Sequence, residues 1–133
     1  EIALDQYFKT VNIEGETMAD MAQTMIVPAA VRYLNELLAV LERGAAQGLD
    51  VRGTRDIASR VNDLVNELLD VLATLVAENA ELGGDDVRSK AHHMRDDIVP
   101  AMAAVRSVAD RLEKLIPDDF WPLPNYRDML FVK

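Results

Sequence analysis

The sequence contains no cysteine, which excludes disulfides, thiolate nucleophiles and cysteine-ligated zinc and agrees with a reducing compartment. Only six glycines and five prolines interrupt the 133 residues, so neither a collagen-like nor a low-complexity disordered class fits. No apolar run approaches the roughly 18 residues that span a bilayer. The first residues also lack a basic stretch followed by an apolar one, as a secretory signal would have. The sequence therefore predicts a soluble chain.

Positive charge is also scarce, with 14 lysines and arginines against 23 acidic residues and a formal net charge of −9. A field of this sign repels phosphate backbones and anionic lipid headgroups. We therefore expect neither nucleic acid nor a membrane as a partner. The length and a hydrophobic content of 50% suit one domain with a single core, residues 1–133.

Apolar spacing predicts three long helices over about residues 16–43, 54–82 and 87–115. In the second helix, apolar residues recur at alternating steps of four and three and form one main stripe. Further apolar residues beside this stripe predict that the helix packs against more than one neighbouring helix. Members of the main stripe are Ile57, Val61, Leu64, Leu68, Val71 and Leu75. The first segment is apolar on several sides, which predicts burial on several sides. The fold class is therefore all-α, a bundle of three long antiparallel helices.

The ends and interruptions of these helices are also readable. A small apolar set from Leu4 to Val11 predicts a short leading helix before "NIEGE", and Gly44 is expected to end the first long helix. Asp85 and Asp86 are expected to cap the third helix, and Pro117 to end it. Two prolines stand in the tetrapeptide Ile-Val-Pro-Ala, where each removes one helical hydrogen bond and bends its helix; they are Pro28 and Pro100.

The sequence "HHMRDD" is the strongest candidate for chemistry. It places His92 and Asp96, and His93 and Asp97, four residues apart, a spacing that can hold a divalent metal on a helix. All four lie off the apolar stripe, so we interpret them as a solvated face with local ion pairs. A small metal-dependent enzyme using this face is the rival hypothesis. The sequence has no glycine-rich phosphate loop, G-x-S-x-G or H-E-x-x-H, so we predict no catalytic, cofactor-binding or metal-binding residue.

The C-terminal residues 118–133, "DDFWPLPNYRDMLFVK", differ from the rest of the chain. Pro122 and Pro124 favour an extended path, and the large apolar side chains would be exposed unless they dock on a surface. We predict a proline-broken aromatic docking arm that packs on the domain's own helices; docking on a neighbouring subunit is the alternative. Its interface residues are Phe120, Trp121, Tyr126, Leu130 and Phe131.

Several longer stretches resemble one enzyme family. The pieces "NIEGETM", "DMA", "IVPAAVRY" and "WPLPNYRDMLF" make residues 4–37 and 110–133 similar to the C-terminal region of type III glutamine synthetases. The helices between them match only in their leucine-rich amphipathic character. The resemblance, together with a start at Glu1 instead of methionine, leads us to expect the C-terminal fragment of a larger enzyme.

The resemblance implies a cytoplasmic parent enzyme of nitrogen metabolism that joins ammonia to glutamate with ATP and Mg²⁺ or Mn²⁺. It also implies stacked hexameric rings, with the nucleotide-, metal- and glutamate-binding residues outside this chain. No active-site residue can therefore be assigned here. The expected role is a structural and assembly domain that packs against the catalytic domain of the same chain and against neighbouring subunits. A free-standing helical protein-interaction module is the alternative.

Overall fold

The computed structural model describes residues 2–81 and 86–124, and within these ranges every regular element is helical. This confirms the all-α class with three long helical stretches. The elements are α1 (Ile2–Met21), a π-helical turn (Ala22–Ile26), α2 (Val27–Ala46), α3 (Arg52–Ala80), α4 (Val87–His93), a second π-helical turn (Met94–Ile98) and α5 (Val99–Leu115).

The first helical stretch is continuous from α1 through the π turn into α2. The prediction of a separate short leading helix before "NIEGE" is therefore wrong. Gly15 does not interrupt α1. It has no Cβ, which lets α3 pack closely against α1 at this point, since a Cβ there would lie 3.0 Å from Asn79 Oδ1. Packing of an apolar face against a neighbour stabilises a helix more than the intrinsic propensity of one glycine weakens it.

Both Ile-Val-Pro-Ala tetrapeptides have the same local structure. Each proline is the second residue of the helix after a π turn, and the preceding valine donates its N–H five residues back, Val27 to Ala22 and Val99 to Met94. A proline has no N–H to donate, and a wider turn is a known way for a helix to accommodate a break in its ladder. The sequence located these breaks, but the π turns themselves were not predicted.

The helix ends match the predictions in part. Gly44 does not end α2, which runs on to Ala46 before Gly48 adopts a φ of 76°. Gly44 is buried instead, and Val51 packs so closely against it that a Cβ at position 44 would lie 2.5 Å from Val51 Cγ1. Asp86 does cap α4, accepting the Ser89 N–H at 2.7 Å, and that hydrogen bond lowers the pKa of Asp86. Asp85 lies outside the described residues, and α5 ends before Pro117 as predicted.

The core lies around α3, which packs against α1, α2 and α5. Val61, Leu68 and Leu75 of the main stripe and Leu72 beside them are fully buried, and Val65 is buried as well. The prediction that this helix faces several neighbours is confirmed. Because α3 takes the central position, the first helical stretch is not buried on all sides. Its exposed large apolar side chains are Leu4, Tyr7, Ile13, Met25, Val31, Leu38 and Val40.

One continuous helix, Ala3–Ala46, is long and apolar enough to cross a membrane by length and composition alone. Only 22% of its most apolar window is buried. A helix that packs against other protein passes the same test, so this is weak evidence for a membrane span. The absence of a membrane partner stays a prediction.

Candidate functional site

Polar side chains and backbone carbonyl groups meet where the C-terminal end of α3 contacts α1 and α4. We call this set the polar junction; its members are Asn12, Gly15, Glu78, Asn79, His93 and Asp97. It is the part of the described chain where buried polar groups concentrate, since Asn79 and His93 are the two buried polar residues in these ranges.

His93 is held by two hydrogen bonds and is only 7% exposed. Its Nε2 lies 2.8 Å from the Glu78 carbonyl oxygen and its Nδ1 lies 2.8 Å from Asp97 Oδ2. A carbonyl oxygen can only accept and a carboxylate oxygen is a strong acceptor, so this geometry favours the imidazolium form, in which both ring nitrogens donate. The bond to the Glu78 carbonyl raises the pKa of His93, burial opposes this, and Asp97 adds to it.

The interpretation of "HHMRDD" as a solvated face is therefore wrong for His93. Its side chain is buried because α4 packs on α1 and on the end of α3, and the apolar spacing of the third predicted helix does not reveal these contacts. The predicted ion pair between His93 and Asp97 is confirmed. His92 and Asp96 are exposed, and Asp96 pairs with Arg95 at 2.9 Å.

A metal at this junction would need Glu78, Glu81 and His93, whose ligand atoms lie within 4.8 Å of one another. A histidine binds metal through the lone pair of a neutral ring nitrogen. Both nitrogens of His93 are already engaged as donors, so a metal would have to break one of two 2.8 Å hydrogen bonds. The residues present therefore suit a hydrogen-bonded contact between α4 and α3 better than a metal centre.

Asn79 joins α3 to α1. Its Nδ2 donates to the Asn12 carbonyl oxygen at 3.1 Å, and its Oδ1 is buried without a partner among the described residues. Gly15 lies against the same amide. The "NIEGE" stretch is therefore a helix-to-helix contact. Sequence reasoning missed it, although Asn79 continues the buried spacing of Leu72 and Leu75, which is an unusual position for an amide.

The aromatic arm is partly placed. Phe120 and Trp121 are half-buried and pack against the core, and the Phe120 ring lies 5.6 Å from the Tyr33 ring at 51°. A turn begins the arm, with Phe120 N–H donating to the Pro117 carbonyl at 2.9 Å. Leu123 is also half-buried against the core. Tyr126, Leu130 and Phe131 lie outside the described residues.

An open cavity of about 650 Å³ lies between α1, α5 and residues 121–124, and we call it the apolar groove. Its walls are mostly apolar, and charged residues stand among them. The apolar members are Ile13, Met18, Met21, Ala22, Ile26, Met102, Val105, Ala109, Trp121, Leu123 and Pro124, and the polar members are Glu14, Thr17, Arg106, Asp110 and Glu113.

Comparison with known proteins shows what this helical domain is similar to. Residues 1–44, which include the "NIEGE" contact and the first Ile-Val-Pro-Ala, match the model of the glutamine synthetase C-terminal domain. The whole chain is 32% identical over 144 residues to a glutamine synthetase of Bacteroides fragilis (strain YCH46), covering 100% of this chain and 19% of that protein. A glutamine synthetase of Butyrivibrio fibrisolvens is 25% identical, with 98% of this chain and 19% of the relative covered.

The name of a third relative specifies a type of glutamine synthetase. The type-3 glutamine synthetase of Dictyostelium discoideum is 24% identical over 143 residues, covering 100% of this chain and 19% of that protein. The resemblance to the C-terminal region of type III glutamine synthetases is thereby confirmed over the whole chain, helices included. The chain spans about a fifth of the length of these relatives.

Proposed function

We propose that this chain is a structural and assembly domain of a type III glutamine synthetase, built as an antiparallel helical bundle. The parent enzyme would ligate ammonia to glutamate with ATP and Mg²⁺ or Mn²⁺, in stacked hexameric rings in the cytoplasm. This domain would pack on the catalytic domain of the same chain and on neighbouring subunits. It would contribute no catalytic residue.

The observation that carries this proposal is the exposed apolar surface of the first helical stretch. On α2, Val31 is 48% exposed and Leu38 is 49% exposed. Val31 and Leu38 are separated by two helical turns of α2 and therefore lie on one face. Scattered exposed side chains are normal, but aligned ones on the most apolar helix of an acidic domain favour a protein surface as their cover.

The chemistry of the described residues supports a role without catalysis. Phosphoryl transfer from ATP depends on a cradle for the phosphates and on carboxylate-bound metal ions. The sequence has no glycine-rich phosphate loop, and the buried histidine uses both of its nitrogens to join α4 to α3 and to Asp97. The apolar groove is lined mostly by apolar side chains, among them methionine, isoleucine and valine.

The proposal is tested in the full-length parent enzyme with Val31→Asp combined with Leu38→Asp. The matched control is Ser59→Asp with Asn66→Asp, two exposed positions on α3 with the same spacing of seven. Exposed substitutions usually change stability by about 0.5 kcal/mol or less, so both variants of the isolated domain should melt like the original. Sedimentation of the parent enzyme should show smaller species for the α2 variant only.

Equal assembly of both parent variants would contradict the proposal. A free-standing interaction module is distinguished by the intact mass of the native protein, which would then equal the mass of this chain alone, 14.8 kDa.

A further inference from the structure

The apolar groove has one wall made by the chain's own arm. Trp121, Leu123 and Pro124 line it together with side chains of α1 and α5, so residues 121–124 lie along the groove. Trp121 and Leu123 stay half-buried there. Clefts of about 300–1,000 Å³ with mainly apolar walls are large enough to bury most of the surface of a drug-sized molecule. The groove therefore has room for the residues that follow.

We propose that the apolar groove is the docking site for residues 125–133 of this same chain. The segment "NYRDMLFVK" starts directly after Pro124, the last groove-lining residue, and carries four large apolar side chains. They are Tyr126, Met129, Leu130 and Phe131. Nine residues reach at most about 30 Å when extended, which is enough to cover a groove whose wall they adjoin.

The tether favours this occupant over a separate molecule. A segment joined to the groove by a short link has an effective concentration of the order of millimolar, and the docked residues 121–124 shorten that link further. A second copy would have to match this concentration in solution. The inference concerns contacts within one chain, so it does not rest on the proposed function in the parent enzyme.

Charges at the groove also match the segment. Glu14 and Asp110 are acidic residues of the groove lining, and the segment carries Arg127 between its apolar residues. Arg106 of the groove has Asp128 as a counterpart in the segment. Opposite charges at the edge of an apolar contact fix its register more than they add to its affinity.

The test uses a spin label on Lys133→Cys, which is specific because the chain has no other cysteine. Methyl resonances of the methionines are then recorded in the dilute 133-residue chain. We expect strong paramagnetic broadening of the groove methionines Met18, Met21 and Met102. Met94, which is buried outside the groove, is the internal control and should broaden least.

Two further samples decide between occupants. Ala109→Arg places a bulky charge in the groove and should abolish the broadening, whereas Ala73→Arg on the exposed face of α3 should leave it unchanged. A mixture of labelled chains with isotope-labelled, unmodified chains detects docking between copies. Broadening in the mixture only, or no broadening of the groove methionines in any sample, would overturn the proposal.

Discussion

Replacing His93 with alanine should destabilise the domain strongly. The variant removes both donors at the polar junction and leaves the Glu78 carbonyl and the Asp97 carboxylate without them. A hydrogen bond that involves a charged group contributes about 1.5–3 kcal/mol. Asp97 is 48% exposed and can turn to water, so we count one such bond in full and expect a loss of about 2 kcal/mol. With an unfolding entropy of about 2.1 cal/mol/K per residue, the melting temperature should fall by about 7 °C.

The loss should depend on pH in one direction. The pKa of His93 is raised in the folded chain, so its charged form stabilises the fold fully below the unfolded pKa of about 6.5. That contribution disappears as the pH rises through the raised folded pKa. The acidic groups that face the ring are Glu78, Glu81 and Asp97. The difference between wild type and His93→Ala should therefore be largest near pH 6 and smaller near pH 9.

Urea unfolding of the wild type and of the variants His93→Ala, His92→Ala and His93→Gln at these two pH values is the assay. His92→Ala is the matched control, because His92 is the exposed neighbour and should cost little at either pH. His93→Gln keeps a neutral donor but cannot carry the charge, so its loss relative to the wild type should be smaller than that of His93→Ala and should also be larger near pH 6 than near pH 9. A penalty for His93→Ala that is the same at both pH values would refute the charged ring and the reasoning built on its two hydrogen bonds.

Three other predictions concern the contacts and the chemistry of the chain. In an Asn79→Ala background, Gly15→Ala should stabilise the domain by about 1 kcal/mol, because alanine has the higher helix propensity. With Asn79 present, the same substitution should stabilise the domain less or destabilise it, because the added Cβ meets the Asn79 side chain. Equal effects in the two backgrounds of this double-mutant cycle would contradict the tight contact. Trp121→Ala should lower the melting temperature by about 7 °C, because Trp121 is half-buried and we count half the usual free-energy cost of removing a buried aromatic side chain. Asp119→Ala, at an exposed position, should change the melting temperature little. Deleting residues 120–133 should lower it further than Trp121→Ala. Calorimetry of the isolated chain with ATP should detect no binding, and micromolar affinity would refute the absence of a nucleotide site.

Much of the fold could be predicted because its signals are local. The spacing of Val61, Leu68 and Leu75 identifies the buried face of α3 without knowledge of its neighbours, and Asp86 caps α4 through a residue three positions away. Pro117 ends α5 for reasons contained in its own ring. The arm could be recognised from its composition, and Phe120 and Trp121 do pack on the core.

What could not be predicted depends on contacts between distant residues. Gly15 reads as a helix breaker unless Asn79, which lies 64 positions further along, is known to pack against it. His93 reads as exposed unless the Glu78 carbonyl at the end of α3 is known to lie above it. The exposed apolar face of α2 was likewise unpredictable, since the sequence does not say which of two apolar helices takes the centre.

The most direct test of the assembly role is the native mass of the full-length parent enzyme with and without the region that corresponds to this chain. The account predicts that the intact enzyme forms large rings and that the shortened enzyme sediments as smaller species. Rings of unchanged subunit number in the shortened enzyme would contradict the assembly role of this domain.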